Sequence, residues 1–404
     1  MSNINRTACR LAAGIVPELA VYDQFKGISQ SRVFDLAFFL NNLGAARKQF
    51  AFAVTRAAAA DSPRTDERTA VISVKNTPLG EQFSSLRLKG VFPRLDETGG
   101  METYLHGMGR AELHLGAVAP HTIGGWGETF DELSPYGAMR LDRLKIEMDT
   151  AAHLGPGMTD SLLGFGIYEQ PLFRGDLAGF AVYGMTRDRD VRLGPYLEAK
   201  VSTCGITQDV MALAVHSGGL LRQMHAAGRK HTYPHHGNFA VESETAAKIV
   251  DLDSSENITE LKPDLLAPQL YLDLARGIYD YMADYLAERH NPRSRFYAAP
   301  LLPHFLWGYF KGDTSLAFVR MIEPWLNGQR SDEEYKSMFG YLPGRFAPPI
   351  SFSNPSLMNP YYVVSVSRGL DTADLSMFPQ PLFGSFYEAL YSVAEDLSSS
   401  FCRE

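Results

Sequence analysis

The residues whose types and spacing could do chemistry concentrate in Leu220–Ser255, LLRQMHAAGRKHTYPHHGNFAVESETAAKIVDLDSS. A helix expected over Gln208–Ala227 ends at Gly228, and His231 follows it. Asn238 opens the apolar pair Phe239-Ala240, and a polar turn, ESETAA, leads into a second strand, KIVDLD, that carries Asp251. Such a hairpin brings a carboxamide oxygen and a carboxylate toward one point. Mg²⁺ is a hard cation that takes oxygen ligands in near-octahedral geometry, commonly one or two from protein and the rest from phosphates and water. Asn238 and Asp251 are therefore candidate metal ligands. His231, His235 and His236 crowd the same loop, and imidazole titrates near neutrality, so His235 and His236 are candidate general bases. Asp253 is either a further ligand or a helix cap. The histidines alone present no recognisable zinc frame.

This order resembles the catalytic loop and metal-binding loop of protein kinases. His231 lies seven residues before Asn238, and Asn238 thirteen before Asp251, the intervals found there between the loop histidine, the metal-binding asparagine and the aspartate of Asp-Phe-Gly. A protein kinase also carries an aspartate two positions after the histidine, acting as base toward its substrate hydroxyl. Here that position is Tyr233.

Selenoprotein O and its bacterial relatives share that loss, and several stretches look similar to that family. They are kinase-fold enzymes that bind ATP in reversed orientation and transfer AMP to protein hydroxyls. Leu86–Gly90 (LRLKG) resembles the family's Leu-Lys-Gly strand, which implies Lys89 as the phosphate-binding lysine and Glu147 as its partner. Arg187–Glu198 (RDRDVRLGPYLE) resembles the stretch whose arginines hold the terminal phosphate, implying that part for Arg187 and Arg192. HTYPHHGN stands where the family has His-Gly-x-x-Asn-Thr-Asp-Asn. The resemblance covers roughly residues 85–290, and Cys402 is similar to the family's near-terminal selenocysteine or cysteine. The departures are specific. Gly237 replaces an aspartate, and only Asn42-Leu43-Gly44 offers a glycine loop before Lys89. Lys75, in AVISVK, is a rival because it resembles the kinase Val-Ala-Ile-Lys strand.

The resemblance implies ATP with Mg²⁺, or Mn²⁺ in its place, and transfer of AMP to a protein or small-molecule acceptor. Lys89, Glu147 and His236 would serve catalysis. Lys89, Glu147, Arg187, Arg192, Asn238 and Asp251 would hold the nucleotide and its metal. The alternatives are a small-molecule phosphotransferase and an inactive pseudokinase scaffold that binds a nucleotide.

The elements that must position these residues follow from patterning. Phe50–Thr55, Ala70–Lys75 and Ser85–Val91 read as strands, with AAAADSPRTDER between the first two as a loop or helix end. The glycine-rich stretch 96–137 reads as a loop-rich insertion. Leu141–Leu154 reads as a helix with Leu141, Leu144 and Met148 on one face, stopped by Gly155-Pro156. Leu162–Tyr168 and Phe180–Met185 read as a strand pair, and Tyr271–His290 and Ser385–Leu397 as amphipathic helices. Phe296–Phe310 reads as helical core rather than a substrate groove. Strands followed mostly by helices predict an α+β protein of protein-kinase-like, two-lobed fold, with a β-rich lobe over 1–186 and a helical lobe over 187–404.

Composition bounds the function. The 404 residues carry a formal net charge of −8, which argues against a broadly basic nucleic-acid surface. Cys9, Cys204 and Cys402 are far apart and form no CxxC motif, which fits a reducing cytoplasm. The N-terminus makes a poor signal peptide, and Val33–Leu43 is shorter than the roughly 20 residues a membrane span needs. Neither a nucleic-acid nor a membrane partner is expected.

Overall fold

The computed structural model describes residues 68–91, 101, 103–105, 133–168, 177–288, 299–327 and 381–402. The expected strand at Phe50–Thr55, the stretch 57–67, Asn42-Leu43-Gly44, Val33–Leu43, Cys9 and most of 96–137 lie outside these residues. The protein is α+β, and its described residues divide into two compact units. The first takes the described residues up to Asp190 together with Asp251–Asp253, and the second takes the rest. This division runs to Asp190, where a lobe boundary was expected at 186, and the acidic stretch after the hairpin groups with the first unit.

The first unit is an antiparallel sheet with one helix. Its strands are β1 (Thr69–Ser73), β2 (Ser85–Lys89), β5 (Met139–Arg140), β6 (Ser161–Ile167) and β7 (Ala178–Met185). β3 (Thr103–Leu105) and β4 (Leu133–Pro135) pair separately, so the described ends of the expected insertion form a short ribbon rather than loop. In the main sheet β1 pairs β2, β2 pairs β7, and β7 also pairs β6 and β5. The strand expected over Ala70–Lys75 ends at Ser73, and Lys75 falls in the turn beyond it.

Alternation fixes what each sheet face does, since successive side chains on a strand point to opposite sides. Ala70 and Ile72 of β1, Leu86 and Leu88 of β2, and Phe180 and Val182 of β7 share one apolar core with Val74 and Tyr168. The opposite face carries Ser85, Arg87 and Lys89, and all three are buried. Helix α1 (Leu141–Leu154) has the bounds expected from its pattern. It buries Leu141, Leu144, Glu147, Met148 and Ala151, and Gly155 ends it at φ 70°.

The second unit is mostly helical. It contains α2 (Leu193–Cys204), α3 (Gln208–Ala226), the β8–β11 ribbon (Arg229–Lys230 with Glu256–Asn257) and the β9–β10 hairpin (Phe239–Ser243 with Ala246–Ile249). Helices α4 (Pro263–Glu288), α5 (Leu302–Tyr309), α6 (Ala317–Leu326) and α7 (Pro381–Phe401) follow. Thr207 caps α3 by accepting from the Val210 N–H. Phe305, Leu306, Tyr309 and Phe310 are buried, so this stretch of Phe296–Phe310 is core as expected. Phe310, Phe318 and Phe386 pack ring to ring at centroid separations of 4.9–6.0 Å. Among the described residues no helix is long and apolar enough to cross a membrane.

Helices α3 and α5 meet through glycines. A Cβ on Gly218 would lie 1.9 Å from the Phe305 carbonyl oxygen, and one on Gly308 would lie 1.9 Å from that of Val215. In a helix interior Gly→Ala ordinarily gains about 1 kcal/mol. Here the sign reverses. Gly218→Ala is expected to lose about 1–3 kcal/mol through overpacking. Chemical denaturation reads this directly, and an unchanged or raised midpoint would contradict the close approach.

Candidate functional site

β2 ends with Lys89 on its polar face, and α1 carries Glu147 on the stripe it buries. Lys89 is 3% exposed and Glu147 is fully buried. The Lys89 ammonium donates to Glu147 Oε2 at 2.6 Å and to Asp253 Oδ2 at 3.2 Å, and it pairs with Asp251. Burial drags an ammonium's pKa down. The charges of Asp251, Asp253 and Glu147 outweigh that, and the net direction for Lys89 is upward. Tyr183 on β7 donates its hydroxyl to Glu147 Oε1 at 2.8 Å, so each carboxylate oxygen has a donor. Arg68 closes the group from the chain segment just before β1. Its guanidinium lies 2.8 Å from Asp251 and 3.4 Å from Asp253.

One oxygen from each of Glu147, Asp251 and Asp253 can be chosen so that all three lie within 4.8 Å of one another. Asp251 takes a left-handed backbone at φ 65°, which is uncommon for a residue with a side chain but better tolerated by Asp than by most. No helix begins after Asp253; β11 comes next and α4 starts at Pro263. The cap alternative for Asp253 is thereby replaced by membership of the acidic group. Lys75, the rival lysine, has a side chain 53% exposed and pairs with Asp188 at 2.6 Å. Lys89 is the lysine brought to the acids.

A second charged group lies on the same sheet face. Arg187 is held in a fork by Asp160, with its two nitrogens 2.6 and 2.9 Å from the two carboxylate oxygens. It is also 3.5 Å from Asp190. Arg87, 1% exposed, sits 3.4 Å from Asp160 and 3.9 Å from Asp190. Arg187, expected at a phosphate, has one edge of its guanidinium engaged by the buried Asp160 carboxylate. Sequence reading named Arg187 but missed Arg87, Asp160 and Asp190 beside it, along with Arg68 and Tyr183. The available signal was Arg87 alternating with leucines in SLRLK, where an outward-facing residue was the ordinary reading.

In the second unit the histidine loop is tied to α4. Asp273 accepts from the backbone N–H of His231 at 2.6 Å and of Thr232 at 2.8 Å, and it pairs with His225 Nε2 at 3.1 Å. Burial alone would raise the Asp273 pKa; the His225 bond and neighbouring cations hold it below the ordinary carboxylate value. His231 Nε2 meets the Val250 carbonyl at 3.0 Å, and its Nδ1 accepts from Tyr233 N–H at 3.2 Å. This is a structural role. Asn238 donates Nδ2 to the Tyr233 carbonyl at 2.8 Å, which orients its carboxamide, and its own carbonyl accepts from Val250 N–H. Arg192, at the start of α2, donates to the Gly237 carbonyl at 2.9 Å and braces the same loop. His235 turns its Nδ1 onto Gly237 N–H at 3.0 Å.

His236 departs from its expected part as base. It is buried, with its ring 4.4 Å from that of Tyr281 in an edge-on contact. Desolvation lowers its pKa to about 3. An imidazole that weakly basic takes up little proton at neutral pH.

No protein-family model matches the chain, and no curated protein matches it.

The His236 shift carries a sign. Its pKa falls from 6.5 in the unfolded chain to about 3 in the fold, so protonation favours unfolding. Its contribution to stability is complete above pH 6.5 and is lost as pH falls from there through 3. By ring-carbon NMR, His236 is expected to remain neutral down to at least about pH 4. A midpoint near 6 would overturn its burial.

Proposed function

We propose that the chain is an ATP- and Mg²⁺-dependent transferase of protein-kinase-like, two-lobed fold that moves AMP to a protein or small-molecule acceptor. One observation carries the reading: a buried lysine on a strand joins a helical glutamate to two aspartates that follow a hairpin. Those are the positions implied for Lys89, Glu147 and Asp251 by the resemblance to selenoprotein O. The reading is supported by the donor set, since clustered carboxylate oxygens suit a hard divalent cation. Bound there, Mg²⁺ would neutralise charge on the polyphosphate. Asn238 joins the reading on sequence grounds, as the carboxamide thirteen residues before Asp251.

The chain's own groups have separate tasks in this scheme. Lys89, now bonded to Glu147, Asp251 and Asp253, would become a donor to a phosphate oxygen once a bound cation took up the two aspartates, with Glu147 keeping the ammonium in place. Asp251, whose side chain is 26% exposed, presents the accessible carboxylate, and Asp253 lies deeper at 7%. Arg192 acts by holding the Gly237–Asn238 loop, and Arg187 is left out of nucleotide recognition. Tyr233 in place of the kinase aspartate and the weak basicity of His236 both point away from strong deprotonation of an acceptor. Transfer would then rest on alignment and charge neutralisation: the acceptor oxygen bonds to the α-phosphorus, the bond from that phosphorus to the β-phosphate oxygen breaks, pyrophosphate leaves, and the acceptor proton passes to solvent.

A second reading is a nucleotide-binding scaffold without turnover. It is favoured by the same lack of a strong base and by Arg68, which already pairs with both aspartates.

Incubation with Mg²⁺ and ATP labelled at the α- or the γ-phosphate separates these. Stable incorporation of the α label is expected, with Lys89→Met and Asp251→Asn lowering it by about a hundredfold or more. Incorporation of the γ label alone rejects AMP transfer in favour of phosphoryl transfer. Nucleotide binding with no incorporation across protein and small-molecule acceptors supports the scaffold, and absence of binding rejects both readings.

A further inference from the structure

Lys89 is not oriented by Glu147 alone; we infer that Tyr183 is a positioning residue, fixing the glutamate from behind and being fixed in turn by Arg87. The inference rests on the proposed nucleotide site and adds a layer to it. Arg87 and Tyr183 are register partners on β2 and β7, so their side chains leave the sheet on the same face. Lys89 is two residues beyond Arg87 and therefore shares that face. The Arg87 guanidinium carbon stands 4.7 Å from the centre of the Tyr183 ring, within the range of a cation–π contact. The Tyr183 hydroxyl meets Glu147 Oε1 at 2.8 Å, and the other oxygen of that carboxylate meets Lys89 at 2.6 Å.

Each member of this row has its freedom removed by the one before it. Asp160 and Asp190 flank Arg87, and Arg187 is locked onto Asp160 by its fork. Ser85, on the same strand face, donates to the Arg187 carbonyl at 2.6 Å and ties the strand to the start of the row. Arg87, Tyr183 and Glu147 are each 1% exposed or less, so water does not substitute for a lost partner. A carboxylate with one oxygen held by a phenol has one oxygen left with which to aim an ammonium. Without the phenol the Glu147 carboxylate can rotate about its terminal bond, and the ammonium loses its fixed partner on the helix side, leaving Asp251 and Asp253 to hold it.

The row also makes the phenol a dedicated donor. Burial first, and the Glu147 charge second, push its ionisation well above the ordinary tyrosine range. The phenol is therefore the donor in its bond to Glu147. Its task is geometric, and no proton transfer is assigned to it.

Tyr183→Phe removes the hydroxyl and keeps the ring, so Arg87 retains its aromatic contact. The full chain is labelled with ¹⁵N-lysine, and the buried Lys89 ammonium is observed directly, its signal assigned by its loss in Lys89→Arg. Tyr183→Phe is expected to shift that signal, and to shift it no further when Glu147→Gln is already present. The affinity for ATP with Mg²⁺ is expected to fall by about tenfold in Tyr183→Phe, again with little added loss in the Glu147→Gln background. An unmoved Lys89 signal, or effects that simply add in the double variant, overturns the inference. Nucleotide-free spectra test the row even if the wild type binds no nucleotide, the outcome that would reject the proposed function instead. Should Tyr183→Phe not fold, ¹⁹F-labelled 3-fluorotyrosine at position 183 reports the same link in an otherwise intact chain. Its resonance is expected to move on ATP·Mg²⁺ binding to the wild type and to stay fixed in Lys89→Met; no movement in the wild type despite binding overturns the inference.

Discussion

A lysine ammonium removed from water is the constraint on which the first unit is built. Stripping such an ion of its solvent costs several kcal/mol unless opposite charges replace the water. Lys89 finds Glu147, Asp251 and Asp253, which come from a helix and from the chain after a hairpin. Three distant parts of the sequence must therefore converge before the lysine can be buried. Among these four groups and Arg68, three formal negative charges face two positive ones. The surplus is negative, so the group still favours a cation.

The second unit solves a different problem with the same means. The histidine loop turns through an unfavourable backbone at Thr232, φ 75°, and would leave two N–H groups pointing into the protein. Asp273 takes both and is itself held by His225, whose other nitrogen meets the Tyr309 hydroxyl at 2.8 Å. A buried carboxylate here does the work of a missing strand. Strain at Thr232 and at Asp251 falls on either side of the β9–β10 hairpin, and such strain persists only where surrounding contacts enforce it. Neither residue was distinguishable on this ground beforehand, since backbone angle leaves no mark in residue type unless glycine takes the position.

Much of the architecture was legible. The bounds of α1, the β6–β7 pair, α3, the hairpin and the helical C-terminal portion all follow from periodicity and stop residues. Asp251 was named from motif spacing, Lys89 and Glu147 from the resemblance to selenoprotein O, and the three converge. What escaped was anything that depends on which face of an element becomes covered. Glu147 shares the Leu144–Met148 stripe of α1, and a charge on an apolar stripe was the clue that it is buried with a partner. Arg87 gave no such clue, because a polar residue alternating with apolar ones on a strand is the ordinary sign of a solvent-facing side; Tyr183 lies within an apolar strand and Asp160 just before one. Arg187 and His236 illustrate a related point. Sequence shows that a guanidinium or an imidazole is present, but not that a buried carboxylate or an aromatic ring already occupies it.

The pairing of β2 with β7 ties chemistry to alignment. Leu86 and Leu88 enter the apolar core while Arg87 and Lys89 enter the charged one, and the two sets alternate residue by residue. A slip of a single position would drive two cations into hydrocarbon and leave two leucines facing carboxylates. The residues that build the charged group thus also proofread the register, and a sheet whose charged side was replaced by neutral side chains would lose its defence against sliding.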